Sequence, residues 1–333
     1  RSPRLEETVP VLYLRGLSTG DFSEALEVLL GSEAAGFSAT TITRLLNVWQ
    51  EEYKAWRKRS LAGKEYVYIW ADGVYFNIRL EEDRLACLVI VGVLPDGRKE
   101  VIALEDGYRE STESWASVLR DLKGRGMKAP VLAVGDGNLG FWAALRDVFP
   151  ETQKQRCWKH KIANVLDKLP KRLQTRAKEQ LHEIMYAPDR KSAVEEIDIF
   201  QKEYGQRYAK AVETLVKDQD RMLAFFDFPA EHWLHLRTTN PIESTFATVK
   251  ARTKKTKGAG SRKAGLAMAW KLLMAAQNRW RRVNAPHLVA LVKAGVEFPN
   301  GEAEMLQCDP EPEELFMPTP WILAADGVPI HNI

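Results

Sequence analysis

The sequence predicts an α/β protein: a mixed β-sheet interrupted by an all-helical insertion and preceded by a helical segment. Three observations carry this expectation. A block rich in aromatic and β-branched residues begins near Lys64 and falls into short runs separated by Gly, Pro and Asp. Those runs alternate further on with segments whose apolar residues recur at helical spacing. Between about His160 and His235 only helical periodicity survives, with breaks at Pro170, Pro188 and Pro229.

Residues 1–62 read as helical. Thr19 and Asp21 can cap a helix over 22–30. After the turn from Gly31 to Gly36, Ser38 or Thr40 can cap a second helix carrying Ile42, Leu45, Leu46, Trp49 and Tyr53. Such a pair permits a helix-turn-helix, although any helical hairpin looks alike. The chain opens at Arg1 rather than Met, so its natural start is expected to lie further upstream. Residues 1–11 lack the apolar core of a signal peptide.

Strands follow at 66–70, stopping at Asp72-Gly73, then at 85–94 and 101–104. The short connections make these three antiparallel. Thr112 can cap a helix through Leu122 with Trp115, Val118 and Leu119 on one face. A fourth strand, 130–134, ends at Asp136-Gly137. A helix from Asn138 carries Phe141, Trp142, Leu145 and Val148, and 152–157 is a short fifth strand. Three strands, helix, strand, helix, strand is the order of a ribonuclease-H-like domain. The expected organisation is a helical DNA-binding segment at 1–62, a ribonuclease-H-like core at 63–160 and 236–300, a helical insertion at 161–235, and an acidic tail at 301–333. The core resumes with a helix at Asn240-Pro241, where Asn suits the cap and Pro the first turn. A Gly- and Lys-rich loop follows, then an amphipathic helix over 263–282.

Composition narrows the function. From Gly301 onward there are seven acidic residues and no Lys or Arg, which leaves 48 basic against 38 acidic residues in 1–300, a net of +10. A body so basic suits a polyanion, with nucleic acid foremost, although solubilising surface charge is the plainer reading. The longest apolar run, 85–94, is half of the ~20 residues a membrane-spanning helix needs, so no membrane role is expected. Cys87, Cys157 and Cys308 lie far apart, which fits a reducing, intracellular setting.

Asp72 and Asp136 each follow a strand and precede a Gly. Glu243 falls in the first turn of the helix starting at Asn240. Two-metal phosphodiester cleavage needs two or three such carboxylates, holding hard cations about 4 Å apart. Each also has a plainer reading: Asp-Gly after a strand is often only a turn, and a Glu in a first helical turn complements the dipole.

The segment Arg237-Thr238-Thr239-Asn240-Pro241-Ile242-Glu243 resembles the signature around the catalytic Glu of Mutator-type bacterial insertion-sequence transposases. Ala133-Val134-Gly135-Asp136-Gly137 and Arg252-Thr253-Lys254-Lys255-Thr256-Lys257 resemble the same family, and the likeness runs over about 12–296. It implies a ribonuclease-H-like core with a helical insertion before the last acid, and Asp72, Asp136 and Glu243 as catalytic, metal-holding residues. The spacings, 64 residues between the Asp pair and 107 from Asp136 to Glu243, leave room for the insertion. The family's reaction cuts a transposon end to a 3′-hydroxyl, which then attacks a second phosphodiester. Mg²⁺ or Mn²⁺, with two ions expected in such a site, suits all-oxygen ligands. The implied partners are double-stranded DNA, as terminal repeats and as target, and a second copy of the chain. The implied location is the bacterial cytoplasm, at the nucleoid. A structure-specific nuclease on the same fold and an inactive DNA-binding relative are the alternatives.

Cys157-x-x-His160 matches a second family feature. Zinc needs four ligands, and no second Cys or His pair has suitable spacing. The favoured reading places His160 near the scissile phosphate, with Cys157 packing beneath it. Lys250, Arg252, Lys254, Lys255, Lys257, Arg262 and Lys263 form a run without an acidic residue and are expected to contact DNA phosphates. Seven further basic residues lie between Lys154 and Arg172, and Arg279, Arg281 and Arg282 flank Trp280. Trp49, Trp115, Trp142 and Trp270 are expected in the core, whereas Trp233 is a candidate to stack on an unpaired base.

Overall fold

The computed structural model describes residues 39–76, 85–137, 140–255 and 261–304. The predicted helix at 22–30, the turn after it, Asn138, Lys257, Cys308 and the tail from 305 lie outside the described residues, so the helix-turn-helix expectation does too. The second predicted helix is α1 (Ala39–Arg57). It buries Trp49 and Tyr53, and the Tyr53 hydroxyl donates to the Leu104 carbonyl at 2.5 Å.

Five strands form one mixed sheet: β1 (Tyr68–Phe76), β2 (Leu85–Val93), β3 (Lys99–Asp106), β4 (Leu132–Gly135) and β5 (Gln153–Arg156), in the order β3-β2-β1-β4-β5. The first three are antiparallel, as their short connections require. β4 runs parallel to β1 and β5 parallel to β4. The parallel strands are reached through α2 (Thr112–Gly124) and α3 (Phe141–Val148).

Side-chain alternation sends the two faces of the sheet into different cores. Ile69, Ala71, Leu88, Ile90 and Ala133 pack with Trp115, Leu119 and Leu122 of α2 and with Phe141 and Leu145 of α3. Tyr68, Trp70, Val89, Val91 and Val134 face the helices of the C-terminal half. From Trp158 to Leu236 the chain is helical, with α4 (Trp158–Leu166), α5 (Lys171–Met185), α6 (Arg190–Tyr204), α7 (Ala209–Val216), α8 (Gln219–Met222) and α9 (Trp233–Leu236). Apolar residues of this region, among them Ile184, Phe200 and Phe225, join the same core as this second sheet face. There follow α10 (Asn240–Lys255), α11 (Arg262–Gln277) and α12 (His287–Lys293). No helix among the described residues is long and apolar enough to cross a membrane.

Three boundaries differ from expectation. β1 does not stop at Asp72: its ladder with β2 continues through Asp72↔Val89 to Phe76↔Leu85, because β2 offers partners along its whole length. Ser111, not Thr112, caps α2, its hydroxyl accepting from the Ser114 N–H at 3.1 Å. α11 ends at Gln277 rather than Arg282. There the Gln277 side chain accepts from the Val101 N–H, and the chain turns so that the Val283 N–H reaches the Gly97 carbonyl.

Candidate active site

Because side chains alternate along a strand, Asp72 shares a face with Tyr68 and Trp70, and Asp136 continues the face of Val134. Ala71 pairs with Gly135, so the two carboxylates fall side by side where the parallel strands β1 and β4 diverge. Each is only 5% exposed. The Gly73 N–H donates to Asp72 Oδ1 at 2.8 Å and the Gly137 N–H to Asp136 Oδ1 at 2.5 Å. The Trp142 indole donates to the Asp136 carbonyl at 2.6 Å and fixes the backbone there.

The positive charge facing this pair comes from Arg109, in the loop between β3 and α2. Its Nη2 lies 2.6 Å from Asp136 Oδ2 and 3.5 Å from Asp72 Oδ1. Its carbonyl is held by the Trp115 indole at 2.7 Å. A Cβ at position 73 would collide with the Arg109 side chain, and one at 137 with the Arg156 guanidinium. The glycines after both acids thus admit cations close to the carboxylates. Burial raises the pKa of Asp72, against the opposing pull of Arg109 and His160.

Glu243 arrives from the other side of this face. Ile242, Phe246 and Val249 bury one face of α10 against the sheet, which leaves Glu243 half-buried in the first turn. Lys159 Nζ makes an ion pair with its carboxylate, and the Thr239 hydroxyl lies 3.2 Å from Oε1. Thr239 also reaches Cys157, its N–H at 3.3 Å and its hydroxyl at 3.5 Å from Sγ. Cys157 in turn is tied to β4, its N–H donating to the Gly135 carbonyl at 2.8 Å. The start of α4 therefore joins the Asp136 strand to the segment that carries Glu243.

His160, one turn into α4, completes the cluster. Burial works against its protonated form, but the Cys157 sulfur, Asp136 and Asp72 outweigh it and push the pKa up to about 9. The Cys157 thiol is lowered, against burial, by His160 and Thr239. One ligand atom each from Cys157, His160 and Glu243 lies within 4.8 Å of the other two, the only such set of three His, Cys, Asp or Glu groups among the described residues.

A family model for Mutator-family transposases matches residues 1–283. The chain belongs to the Mutator family of transposases. It is 57% identical over 297 residues to the transposase for insertion sequence element IS6120 of Mycolicibacterium smegmatis, covering 89% of this chain and 92% of that one. It is 48% identical over 286 residues to the transposase for element IST2 of Acidithiobacillus ferrooxidans, covering 84% and 94%. It is also 30% identical over 256 residues to the transposase for element IS905 of Lactococcus lactis, covering 77% and 64%.

In this Mutator-family transposase the basic residues divide into two kinds. Lys250 and Lys263 are exposed. Arg252, Lys254 and Lys255 belong to the C-terminal part of α10, not to a loop, so the helix that presents Glu243 continues into the basic run. Arg262 is committed to Asp106, Nε to Oδ2 at 3.0 Å and Nη2 to Oδ1 at 2.9 Å. Of the run from Lys154 to Arg172, Arg156 and Lys161 turn inward to Asp218 and Lys159 pairs with Glu243, so these three do not form an outward basic face.

The four tryptophans expected in the core are buried, and the expectation for Trp233 is corrected: it too is core, 8% exposed. Its indole donates to the Phe228 carbonyl at 2.7 Å, its ring stands edge-on to Phe225 and Phe226, and the Arg237 guanidinium lies over it. No face is left for a base.

Sequence reasoning missed Arg109, Lys159 and Thr239 as parts of the site. Thr239 lies inside the Arg237–Glu243 signature, which was a usable signal. Arg109 had none, since only the sheet order brings the loop after β3 over β1 and β4.

Proposed function

We propose that this transposase is a metal-dependent polynucleotidyl transferase of the DDE type, with a ribonuclease-H-like core and with Asp72, Asp136 and Glu243 as its three acids. The observation that carries the reading is the buried pair of carboxylates just past the pairing of the adjacent parallel strands β1 and β4, facing the helix that bears Glu243. The strand order β3-β2-β1-β4-β5 supports the fold assignment. The donor set fits a hard divalent cation: two desolvated carboxylates already draw a guanidinium into the space between them, as an Mg²⁺ or Mn²⁺ ion would be drawn. Such ions supply Lewis-acid stabilisation of the charge that develops on the phosphate and on the entering and leaving oxygens.

The chain's own residues do the remaining work. Asp72, Asp136 and Glu243 would hold the ions; the strand ladder and Trp142 fix the first two. Protonated His160 offers a proton and a positive charge beside the acids, suited to a scissile phosphate. Lys250 lies two helical turns, about 10 Å, beyond Glu243 on the same face, in line to meet the DNA backbone. In the first step a water oxygen attacks phosphorus and the P–O3′ bond breaks, leaving a 3′-hydroxyl. In the second that hydroxyl attacks another phosphodiester, whose own P–O3′ bond breaks. Bringing two DNA ends together calls for at least two copies of the chain.

The test uses duplexes carrying the element's terminal repeats with Mg²⁺ or Mn²⁺. The wild type is expected to cleave and join them, and Asp136→Asn to bind without reacting. Cleavage without joining would favour a nuclease, and identical behaviour of both proteins would remove the catalytic reading.

A further inference from the structure

The triad does not account for why Glu243 lies with a thiol and an imidazole. Cys157 Sγ, a His160 ring nitrogen and a Glu243 oxygen converge within 4.8 Å, although Glu243 lies 83 residues beyond His160 and on another helix. Small movements would bring them onto one ion at the roughly 2.0–2.3 Å bonds of Zn²⁺ to O, N and S. His160 Nδ1 is buried and has no hydrogen-bond partner. The sulfur faces the Thr239 N–H, a donor that favours its anionic form. The cation now at the carboxylate, Lys159, has a side chain 61% exposed and can swing into solvent.

We infer that Cys157, His160 and Glu243 form a site for a thiophilic divalent cation of the Zn²⁺ class, and that filling it withholds Glu243 from Asp72 and Asp136. Three protein ligands leave a fourth position for water. Thiolate ligation discriminates against Mg²⁺, which takes oxygen ligands, so the two kinds of ion compete for Glu243 while preferring different neighbours. Binding releases the thiol proton and the proton of the ligating His160 nitrogen to solvent. The inhibitory consequence rests on Glu243 being the third catalytic acid; the site itself does not.

The full chain in excess Mg²⁺ is titrated with Co²⁺ and followed by absorbance. One equivalent is expected to give a thiolate-to-cobalt charge-transfer band that Zn²⁺ displaces and that Cys157→Ser lacks. His160→Gln and Glu243→Gln should each weaken Zn²⁺ binding by at least the roughly 10- to 100-fold that losing even an outer-shell partner costs. No band in the wild type, or the same band in Cys157→Ser, overturns the site. Should Cys157→Ser not fold, unchanged Zn²⁺ affinity in both other variants overturns it equally. Stoichiometric Zn²⁺ should also suppress Mg²⁺-dependent end cleavage, with recovery on chelation; full cleavage by the Zn²⁺-loaded protein overturns the inhibitory half. A chain that cleaves under no condition would refute the catalytic reading while leaving the spectrum to judge the site.

Discussion

Asp72 stands on a strand locked by its ladder and Asp136 directly follows one, whereas Glu243 stands in the first turn of a helix held to the sheet by one apolar face. The charges that balance them differ in the same way. Arg109 is anchored through its own backbone and its side chain is 20% exposed; Lys159 is 61% exposed. The sheet half of the site is preorganised and desolvated, and the helix half is adjustable and wet. Such a division predicts that chemically similar substitutions in the two halves behave differently.

The largest expected effect is common to both. Asp136→Asn and Glu243→Gln should each lower end cleavage by about 10³-fold or more, equivalent to roughly 4 kcal/mol of transition-state stabilisation. Thermal unfolding then separates them. Asp136→Asn leaves the mostly buried Arg109 facing a neutral partner, a loss of about 1–3 kcal/mol. Glu243→Gln loses only a contact to an exposed Lys, within about 0.5 kcal/mol. Equal destabilisation by the two would erase the distinction between the halves.

Next in size is the apolar face beneath Glu243. Phe246 is fully buried in the core shared by α10 and the sheet, so Phe246→Ala should cost about 3–5 kcal/mol in denaturant unfolding. A loss below about 1 kcal/mol would mean that α10 is not held through this contact.

Asp72 sharpens the comparison within the sheet half. Burial raises its pKa above the unfolded value, so its contribution to stability is fullest below the unfolded value and is lost as pH rises through the folded one. At neutral pH its ionised form is therefore a cost. Asp72→Asn should leave the metal-free Tm at pH 7 unchanged or raised, with any advantage vanishing as pH falls below the ordinary carboxylate range. Asp136→Asn, one strand away, should lower it. A Tm at pH 7 that falls in Asp72→Asn would show that Arg109 outweighs burial.

The difference between the halves also explains what the sequence revealed. The strands were legible because period-two patterning and turn residues are local, and β1's extension past Asp72 was not, because it depends on partners in β2. The place of Glu243 in a first helical turn was legible from the Asn-Pro helix start; from local pattern alone, neither Asp could be told from a turn residue without the sheet. Arg109 was invisible because its role is made by chain crossing, not by neighbours in sequence. Trp233 misled for the complementary reason: its aromatic ring is a capable stacking surface, but Phe225, Phe226 and Arg237 already occupy its faces and edges. The basic runs showed the amount of charge and not its direction, since Asp218 turns two of those cations inward.

The smallest predicted effect lies on the outer end of α10. Lys250 is exposed, two turns beyond Glu243 and on its face, so a DNA strand engaged by the acids would pass it. If it meets one phosphate, Lys250→Ala should weaken binding alike for all sequences and lower the slope of log affinity against log salt by about 1. Arg262→Ala should change that slope less, because two of its three donating nitrogens are already engaged by Asp106. Fluorescence anisotropy across a salt series measures both. An unchanged slope in Lys250→Ala, or a larger change in Arg262→Ala, would place the DNA on the Asp106 side of the sheet and not along the helix that carries Glu243.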